Sequence, residues 1–281
     1  MPNQSSPPSS HRSQPTASAV IIGNEILSGR TREGNLHYLA TKLAEKGIAL
    51  QHVRIIGDEM DEIIDTLNHL RRHYDYVFSS GGIGPTHDDI TALAVARAFG
   101  VELRRDPRAI AILTAHYPPG GLTEARAKMA EIPVGAALIN NPVSKAPGFS
   151  MENVHVMAGV PDIFRAMVDE LLPNLAGGAV TKSRTLNCVI GESLIAADLA
   201  NLQNEFPDVQ MGSYPFYRMV QPENNDVKPS GNPQEPPPAR GGFGTALVLR
   251  SLDETRLDQA SDQLAAILSS RQIHFTLESM T

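Results

Sequence analysis

The sequence predicts an α/β protein, a mainly parallel sheet covered by helices on both faces, followed by a smaller α+β domain. Two observations support this class. Strand-like and helix-like apolar patterns alternate from about residue 19 to residue 99, as in parallel strands joined by crossover helices. After about Gly178 the pattern restarts in the order βαββαβ, which suggests a split-βαβ, ferredoxin-like domain. The 281 residues suffice for two modest domains.

The elements of the first half follow one another regularly. Residues 19–22 form an apolar run typical of a buried strand, and residues 35–46 carry apolar side chains at helical spacing up to Gly47, a common helix end. Further strand-like and helix-like segments alternate at residues 53–56, 62–72, 76–78 and, for a last helix, beyond residue 90. This βαβαβα order is what predicts the parallel sheet.

The second half contains four strand-like and two helix-like segments. The strand-like segments are residues 185–190, 209–214, 245–250 and 273–277, and the helix-like ones are residues 192–205 and about 257–268. This half has neither an acid cluster nor a phosphate-binding loop in its sequence. We therefore interpret it as an assembly or lid domain.

Two segments have compositions that do not favour a packed core. Residues 1–17 are rich in Ser, Pro and Gln and predict a disordered tail. Residues 222–241 contain a run of prolines and predict a mobile loop. The predicted organisation is thus the tail, an α/β domain at residues 18–178, and a ferredoxin-like domain at residues 179–281 that contains the loop.

Composition excludes several classes of function. No apolar run approaches the roughly 20 residues that a membrane span needs. The 24 basic residues form no stripe and are outnumbered by 31 acidic ones, which argues against a nucleic-acid partner. Cys188 is the only cysteine, so neither an intrachain disulfide nor a cysteine zinc cluster is possible. We predict a cytoplasmic protein that acts on a small molecule, with Cys188 as a buried structural thiol.

A glycine-rich run at residues 79–91 carries the strongest functional signal. It leads from a short strand into a helix, an arrangement in which the backbone can approach a phosphate and helix N–H groups point at the anion. The run also contains Asp88 and Asp89, which would repel a bare phosphate. These acids are explained by a divalent cation, by proton transfer, or by a bond to a ribose hydroxyl. Alternatively, one of them only caps the helix that begins near Ile90.

Two other predicted strands end in a glycine and an acid as well. Residues 23–25 read Gly-Asn-Glu after the first strand, and residues 57–58 read Gly-Asp after the second. Ligands of parallel sheets gather at the carboxyl ends of the strands. We therefore expect these two segments and residues 81–89 to converge on one site.

The motifs resemble those of the molybdopterin-binding (MoaB/Mog-like) domain found in CinA-type competence/damage-inducible proteins. Residues 23–29 are similar to that family's G-[TN]-E-[IL]-L-x-G, and residues 81–91 match G-G-[LI]-G-P-T-x-D-D-[IL]-T almost letter for letter. Asn35, residues 141–149 (N-P-x-x-x-A-P-G-F) and residues 159–161 (G-V-P) follow in the family's order.

Several positions depart from the CinA pattern in a consistent direction. Glu33, Met129 and Ile163 stand where CinA proteins usually carry Asn, Gln and Glu, and residues 144–145 read Ser-Lys instead of Gly-Thr. These changes resemble the molybdopterin-binding-like domain of FAD synthases, and Gly-Ser-Tyr-Pro at residues 212–215 is similar to the segment that follows that domain. The resemblance extends over residues 18–281.

The resemblance implies an αβα three-layer sandwich, self-association into a homo-oligomer, and a pterin or nucleotide ligand. Known ligands in the family are molybdopterin and adenine or flavin dinucleotides, with Mg²⁺ or a similar divalent metal. CinA relatives hydrolyse ADP-ribose-type pyrophosphates, and the FAD-synthase domain is associated with FAD hydrolysis. Mog-like relatives adenylylate molybdopterin with acids that match Asp58 and Asp89.

From the residues and the resemblance together, we assign expected roles. The expected catalytic residues are Asp58, Asp89 and Glu25. The expected metal ligands are Asp58, Asp88 and Asp89. The expected ligand-binding residues are Gly23, Asn24, Gly81, Gly82, Gly84, Thr86 and Lys145. For two of them a simpler interpretation is equally open: Lys145 as a solvated loop lysine, and Glu25 as a carboxylate bonded to the neighbouring backbone.

Three functions compete at this point. The leading hypothesis is a metal-dependent pyrophosphatase that acts on a dinucleotide such as FAD or ADP-ribose. The second is a non-catalytic module that binds molybdopterin or a flavin nucleotide. The third is a role like that of molybdopterin adenylyltransferase in molybdenum cofactor biosynthesis.

Overall fold

The computed structural model describes residues 14–219 and 241–280, which divide into two compact units between Val180 and Thr181. Most of the predicted tail and of the predicted loop, residues 1–13 and 222–240, lies outside the described residues. No helix in the part of the chain that the structure describes is both long and apolar enough to cross a membrane.

The first unit is built around a six-stranded sheet. The strands of this unit are β1 (Thr16–Ile22), β2 (Ala49–Ile56), β3 (Tyr76–Ser80), β4 (Leu103–Arg105), β5 (Glu131–Pro133), β6 (Ala137–Ile139), β7 (Gly148–Met151) and β8 (Val154–Met157), of which β4 and β5 lie outside the six-stranded sheet. The sheet order is β2-β1-β3-β8-β7-β6, and β4 pairs with β5 separately. Strands β2, β1, β3 and β8 pair in parallel, while β7 is antiparallel to both of its neighbours. The prediction of a mainly parallel sheet is confirmed.

Helices cover both faces of this sheet. They are α1 (Asn24–Leu27), α2 (Asn35–Glu45), α3 (Met60–His73), α4 (Thr91–Phe99), α5 (Pro107–His116), α6 (Glu124–Lys128) and α7 (Pro161–Leu171). Buried side chains of α2 and α7 pack with Phe78 in one core cluster. Those of α3, α4 and α5 pack with Val20 and Val77 in the other. The result is the expected αβα three-layer arrangement, with apolar side chains from alternate strand positions facing each helical layer.

Strand β1 begins earlier than the sequence suggested. Thr16 and Ala17, which we assigned to the disordered tail, belong to the strand. The backbone N–H and the hydroxyl of Thr16 both donate to Asp75 Oδ2, at 2.7 and 2.8 Å, and Ala17 is fully buried. The tail assignment of these two residues is therefore wrong, because a tertiary contact to Asp75 extends the strand.

The second unit is a four-stranded antiparallel sheet with two helices. Its elements are β9 (Lys182–Cys188), α8 (Ala196–Glu205), β10 (Gln210–Met219), β11 (Gly241–Ser251), α9 (Glu254–Ser270) and β12 (Phe275–Met280). The sheet order β10-β11-β9-β12 is that of a split-βαβ unit. Helix α8 starts at Ala196 rather than at residue 192, because Glu192–Leu194 forms a short 3-10 turn. Cys188 is buried, and burial raises the pKa of its thiol, as suits a structural residue.

His155 on β8 is a buried titratable group of the first unit and lies beside Phe78. Its Nδ1 lies 2.8 Å from Ser150 Oγ, its ring lies 5.3 Å from that of Phe78, and its Nε2 has no hydrogen-bond partner among the described residues. Burial lowers the pKa of His155 to about 4. The imidazole is therefore neutral in the folded protein at neutral pH.

Acidification is expected to destabilise the first unit through His155. Between pH 6.5 and 4 the unfolded chain protonates this residue and the folded protein does not, so stability falls as the pH falls through that window. The difference reaches about 2 kcal/mol at pH 4.5. Urea denaturation at pH 7 and pH 4.5 checks this against His155→Gln, which lacks the titration. An equal acid-dependent loss in both proteins would contradict the assignment.

Candidate functional site

Four parallel strands of the first unit end at a common cleft of about 460 Å³. We call it the main cleft. Strands β1, β2, β3 and β8 run into it, because the carboxyl ends of parallel strands lie at one edge of a sheet. The predicted site residues that line it are Gly23, Glu25, Asp58, Gly81, Gly82, Gly84, Thr86, Asp88 and Asp89. The structure thus brings the three predicted segments together.

The glycine loop after β3 is held by the first residue of α4. Gly81 and Gly82 both adopt left-handed backbone angles, with φ of 109° and 69°. Thr91 donates its backbone N–H to Gly82 O at 3.0 Å and its hydroxyl to Gly81 O at 3.1 Å. A Cβ at Gly82 would lie 2.1 Å from Thr91 Oγ1, so glycine is required for packing within the loop itself.

Asp88 and Asp89 bond to the loop and not to the start of the helix. The N-cap of α4 is Ile90, and no side chain caps that helix. Asp89 Oδ2 instead accepts the backbone N–H of Thr86 at 2.8 Å and lies 2.6 Å from the Thr86 hydroxyl. The capping alternative is therefore wrong. The same hydroxyl contacts Asp88 and lowers the pKa of that carboxyl, which favours its ionised form.

The other two acids, Asp58 and Glu25, line the main cleft beside the end of β1. Asp58 Oδ2 accepts the backbone N–H of Asn24 at 2.9 Å and so fixes the chain where it leaves β1. The Glu25 carboxylate lies close to Gly23, since a Cβ there would be 2.5 Å from Glu25 Oε1. Both acids therefore sit beside glycine backbone that faces the cleft.

The predicted metal trio does not form a closed cage. Within residues 14–219 and 241–280, no group of three or more His, Cys, Asp or Glu side chains converges closely enough to hold a metal ion. Asp58, Asp88 and Asp89 line the same cleft, but Asp58 bonds to the backbone of Asn24, whereas Asp88 and Asp89 bond to Thr86. This arrangement of the three acids does not favour a metal site made of protein atoms alone.

Two predicted ligand-binding residues lie away from the cleft wall. Lys145 has a left-handed backbone with φ of 66°, and its N–H bonds to Asn141 O at 3.1 Å, while its neighbours Ser144 and Ala146 line the cleft. Asn24 contributes its backbone N–H to Asp58 and does not line the cleft. In this structure both residues therefore have a role in loop structure, and their contact with a ligand stays a prediction.

Asn141 is a cleft residue that the role assignments missed. It is buried, and its side-chain amide donates to Ser144 Oγ at 2.6 Å and to Ala146 O at 2.8 Å. Its Oδ1 accepts the N–H of Val143 and Ser144. These bonds hold one wall of the main cleft in shape. The Asn-Pro motif was the signal that pointed to it.

Asn35 performs a similar task behind the cleft. Its side-chain amide donates to Ser80 Oγ at 2.9 Å and to Gly159 O at 2.8 Å, which ties the end of β3 to the loop after β8. Glu33 Oε1 accepts the N–H of Asn35 and Leu36 and so binds the first turn of α2. The residue that departs from the CinA pattern at position 33 therefore has a structural role.

Comparison with protein families divides the chain as the structure does. Residues 18–177 match the model of the probable molybdopterin binding domain, and residues 181–228 match that of the FAD synthase middle domain. The resemblance stated from the motifs is thereby confirmed.

Individual relatives agree with this result. A Pyrococcus furiosus protein is 33% identical over 214 residues, which cover 71% of this chain and 84% of that protein. A probable FAD synthase of Caenorhabditis elegans is 34% identical, covering 71% of this chain and 44% of that protein. The crystal structure of the protein CinA with unknown function from Thermoplasma acidophilum is 36% identical over 57% of this chain and 98% of its own, with a TM-score of 0.53.

Proposed function

The chain belongs to the family of probable molybdopterin binding domains, and from that premise we propose that its main cleft binds a phosphate-bearing pterin or nucleotide and cleaves a pyrophosphate bond in it. One observation carries the proposal. The glycine loop and the carboxylates of Glu25, Asp58, Asp88 and Asp89 line the same cleft. A dinucleotide such as FAD or ADP-ribose is the substrate class that fits both features.

Binding is attributed to the glycine loop. The backbone of Gly82 and Gly84 borders the cleft, and glycine leaves such backbone open to a phosphate oxygen. Asp89 Oδ2 lies beside Gly84, 2.6 Å from the position of an added Cβ. Helix α4 starts immediately behind the loop, at Thr91, and its dipole favours an anion there. Asn141 and Asn35 supply the rigidity that such a site needs.

The carboxylates give the reason to propose chemistry. Four acids around a phosphate site are unfavourable unless a cation separates them from the ligand. Mg²⁺ is commonly held by one or two carboxylates together with substrate phosphates, so a three-acid cage is not needed. Of the three predicted ligands, Asp88 and Asp89 both contact the Thr86 hydroxyl and would hold the ion together with the phosphates, and the ion would supply charge neutralisation on the phosphate oxygens.

The hydrolytic step needs an oriented water and a proton acceptor. In the proposed reaction the water oxygen bonds to one phosphorus, and the bond from that phosphorus to the bridging oxygen breaks. The water proton passes to a cleft carboxylate, for which Glu25 is the candidate, and the bridging oxygen leaves on the second phosphate. FAD would give FMN and AMP by this route.

Incubation with candidate substrates tests the proposal. Purified protein is mixed with FAD, ADP-ribose, CoA or NAD, in Mg²⁺, Mn²⁺, Co²⁺ or EDTA, and mononucleotide release is followed by chromatography. We expect cation-dependent release from at least one dinucleotide. Tight binding of a dinucleotide by calorimetry with no product under any cation would overturn the catalytic part and favour the non-catalytic binding module.

A further inference from the structure

A pair of histidines lies on the outer side of α3, in the last turns of that helix. His69 and His73 are four residues apart and exposed, and their ring centroids lie 4.4 Å from each other. Asp65, one turn earlier, adds a negative charge to the same exposed side. Neither histidine lines the main cleft, so the proposed hydrolysis uses neither. Two imidazoles at this helical spacing are a known ligand pair for transition metals.

The opposite side of α3 is fixed in the core of the first unit. Ile63, Leu67 and Leu70 are fully buried there. A helix that is packed along one side presents the residues of its other side at constant positions. The backbone that carries His69 and His73 therefore needs no rearrangement to bring two imidazoles to one ion.

A hydrogen bond determines which nitrogen of His73 is free to bind a cation. His73 Nδ1 lies 2.6 Å from the backbone oxygen of His69. Because a carbonyl oxygen only accepts, Nδ1 carries the proton and Nε2 has the lone pair. Histidines that bind metals almost always donate their other ring N–H to a carboxylate, a backbone carbonyl or water. His73 is therefore held in the tautomer and with the kind of partner that a metal ligand requires.

The distance between the two rings fits neighbouring positions on a tetragonal metal ion. A histidine nitrogen lies about 2.0–2.1 Å from its metal, which puts the ring centroid about 3.2 Å from the ion. Two such rings are about 4.5 Å apart when they bind at a right angle and about 5.2 Å apart at the tetrahedral angle. The separation of 4.4 Å matches the right angle, which Cu²⁺ and Ni²⁺ favour. The exposed ring of His69 can turn about its last side-chain torsion to direct a nitrogen at the ion.

The neighbouring side chains leave the pair as the two protein ligands. His52 on β2 is engaged elsewhere, because its Nε2 accepts from Arg54 Nε at 3.3 Å and its ring stacks on that of Tyr74. Within the described ranges 14–219 and 241–280, no group of three or more His, Cys, Asp or Glu side chains could hold a metal ion. Desolvation and the neighbouring His73 and Arg54 lower the pKa of His69, so its imidazole is neutral at neutral pH, as a ligand must be.

We propose that His69 and His73 form a binding site for one divalent transition metal ion of tetragonal preference, Cu²⁺ or Ni²⁺, with solvent in the remaining positions. The site is separate from the main cleft and does not depend on the proposed hydrolysis. Mg²⁺ takes oxygen ligands and does not compete for imidazoles. A transition metal added to this protein therefore has a place to bind other than the carboxylates of the cleft.

Copper titration of the untagged full chain in excess Mg²⁺ tests the proposal. Magnesium competes at the carboxylates, and bound copper is followed by calorimetry and by electron paramagnetic resonance, in which ligand nitrogens split the copper signal. We expect the tightest equivalent of Cu²⁺ to show coupling to two imidazole nitrogens, and Ni²⁺ to compete for the same site. A protein that binds no copper, or whose tightest copper shows no nitrogen coupling, would overturn the proposal.

Single variants assign the site to this pair. His69→Gln and His73→Gln should each weaken the affinity for Cu²⁺ about tenfold or more, because one of the two protein ligands is lost. Both side chains are exposed, so the fold is kept, and circular dichroism checks it. His116→Gln is the matched control, since His116 is also exposed and is the last residue of α5, as His73 is of α3. Unchanged copper affinity in either of the first two variants, or an equal loss in the control, would contradict the assignment.

Discussion

Gly81→Ala is expected to lower the free energy of unfolding by about 3 kcal/mol or more. Gly81 has φ of 109°, a region that side-chain-bearing residues rarely adopt, and a Cβ there would lie 2.2 Å from the backbone oxygen of Ile22. That oxygen belongs to β1 and cannot move without disturbing the sheet. Urea denaturation of the variant measures the loss.

Gly100→Ala is the matched control for this prediction. Gly100 ends α4 with a left-handed φ of 67°, but an added Cβ there meets nothing within 4 Å. Its replacement should cost only about 1 kcal/mol, from backbone strain alone. If Gly81→Ala and Gly100→Ala lose similar amounts of unfolding free energy, the backbone near Ile22 can move away from the added Cβ without a cost in stability, which would contradict the prediction.

Asp89→Asn is expected to reduce cation-dependent pyrophosphate cleavage about 100-fold or more, with a change of stability below about 1 kcal/mol. The amide oxygen can still accept the N–H of Thr86, which Asp89 holds at 2.8 Å, so the loop keeps its conformation. The variant loses the negative charge that the proposed cation needs. Mononucleotide release under saturating Mg²⁺ and a urea denaturation curve give the two measurements.

Asp106→Asn provides the control for the Asp89 variant. Asp106 accepts the N–H of Arg108 at 2.8 Å as the N-cap of α5, and it does not line the main cleft. Asn is a good N-cap as well, so neither activity nor stability should change much. Full activity in Asp89→Asn would remove Asp89 from the proposed chemistry. A loss of folding in that variant that matches its loss of activity would instead assign Asp89 a structural role.

Much of the first unit could be predicted from local patterns. The strands near Ala19 and Val77 and the helices around Leu39 and Leu67 were found, because apolar periodicity reports directly which face is buried. The short elements between residues 103 and 157, from β4 to β8, were not assigned. Strands of three or four residues carry too few positions for a period to be read.

The candidate site was predicted in its location and corrected in its details. Convergence of residues near Gly23, Asp58 and Gly82 follows from strand direction alone and is confirmed. The interpretation of Asp89 as a possible cap was wrong, and the phosphate contact of Lys145 stays a prediction. The bonds that Asp89 and Lys145 make within their own loops are not determined by spacing along the chain.

The sequence by itself determined the class of fold, the family, and the edge of the sheet at which a ligand site lies, because each follows from apolar periodicity or from motifs that are local in the chain. Only the tertiary structure decided which backbone groups Asp58 and Asp89 bond to, and that a second cavity of about 210 Å³, lined by Gly82 and Gly84, opens beside the glycine loop. Those features depend on side chains from separate strands and helices meeting in space, and the distances between them are set by packing of the whole unit.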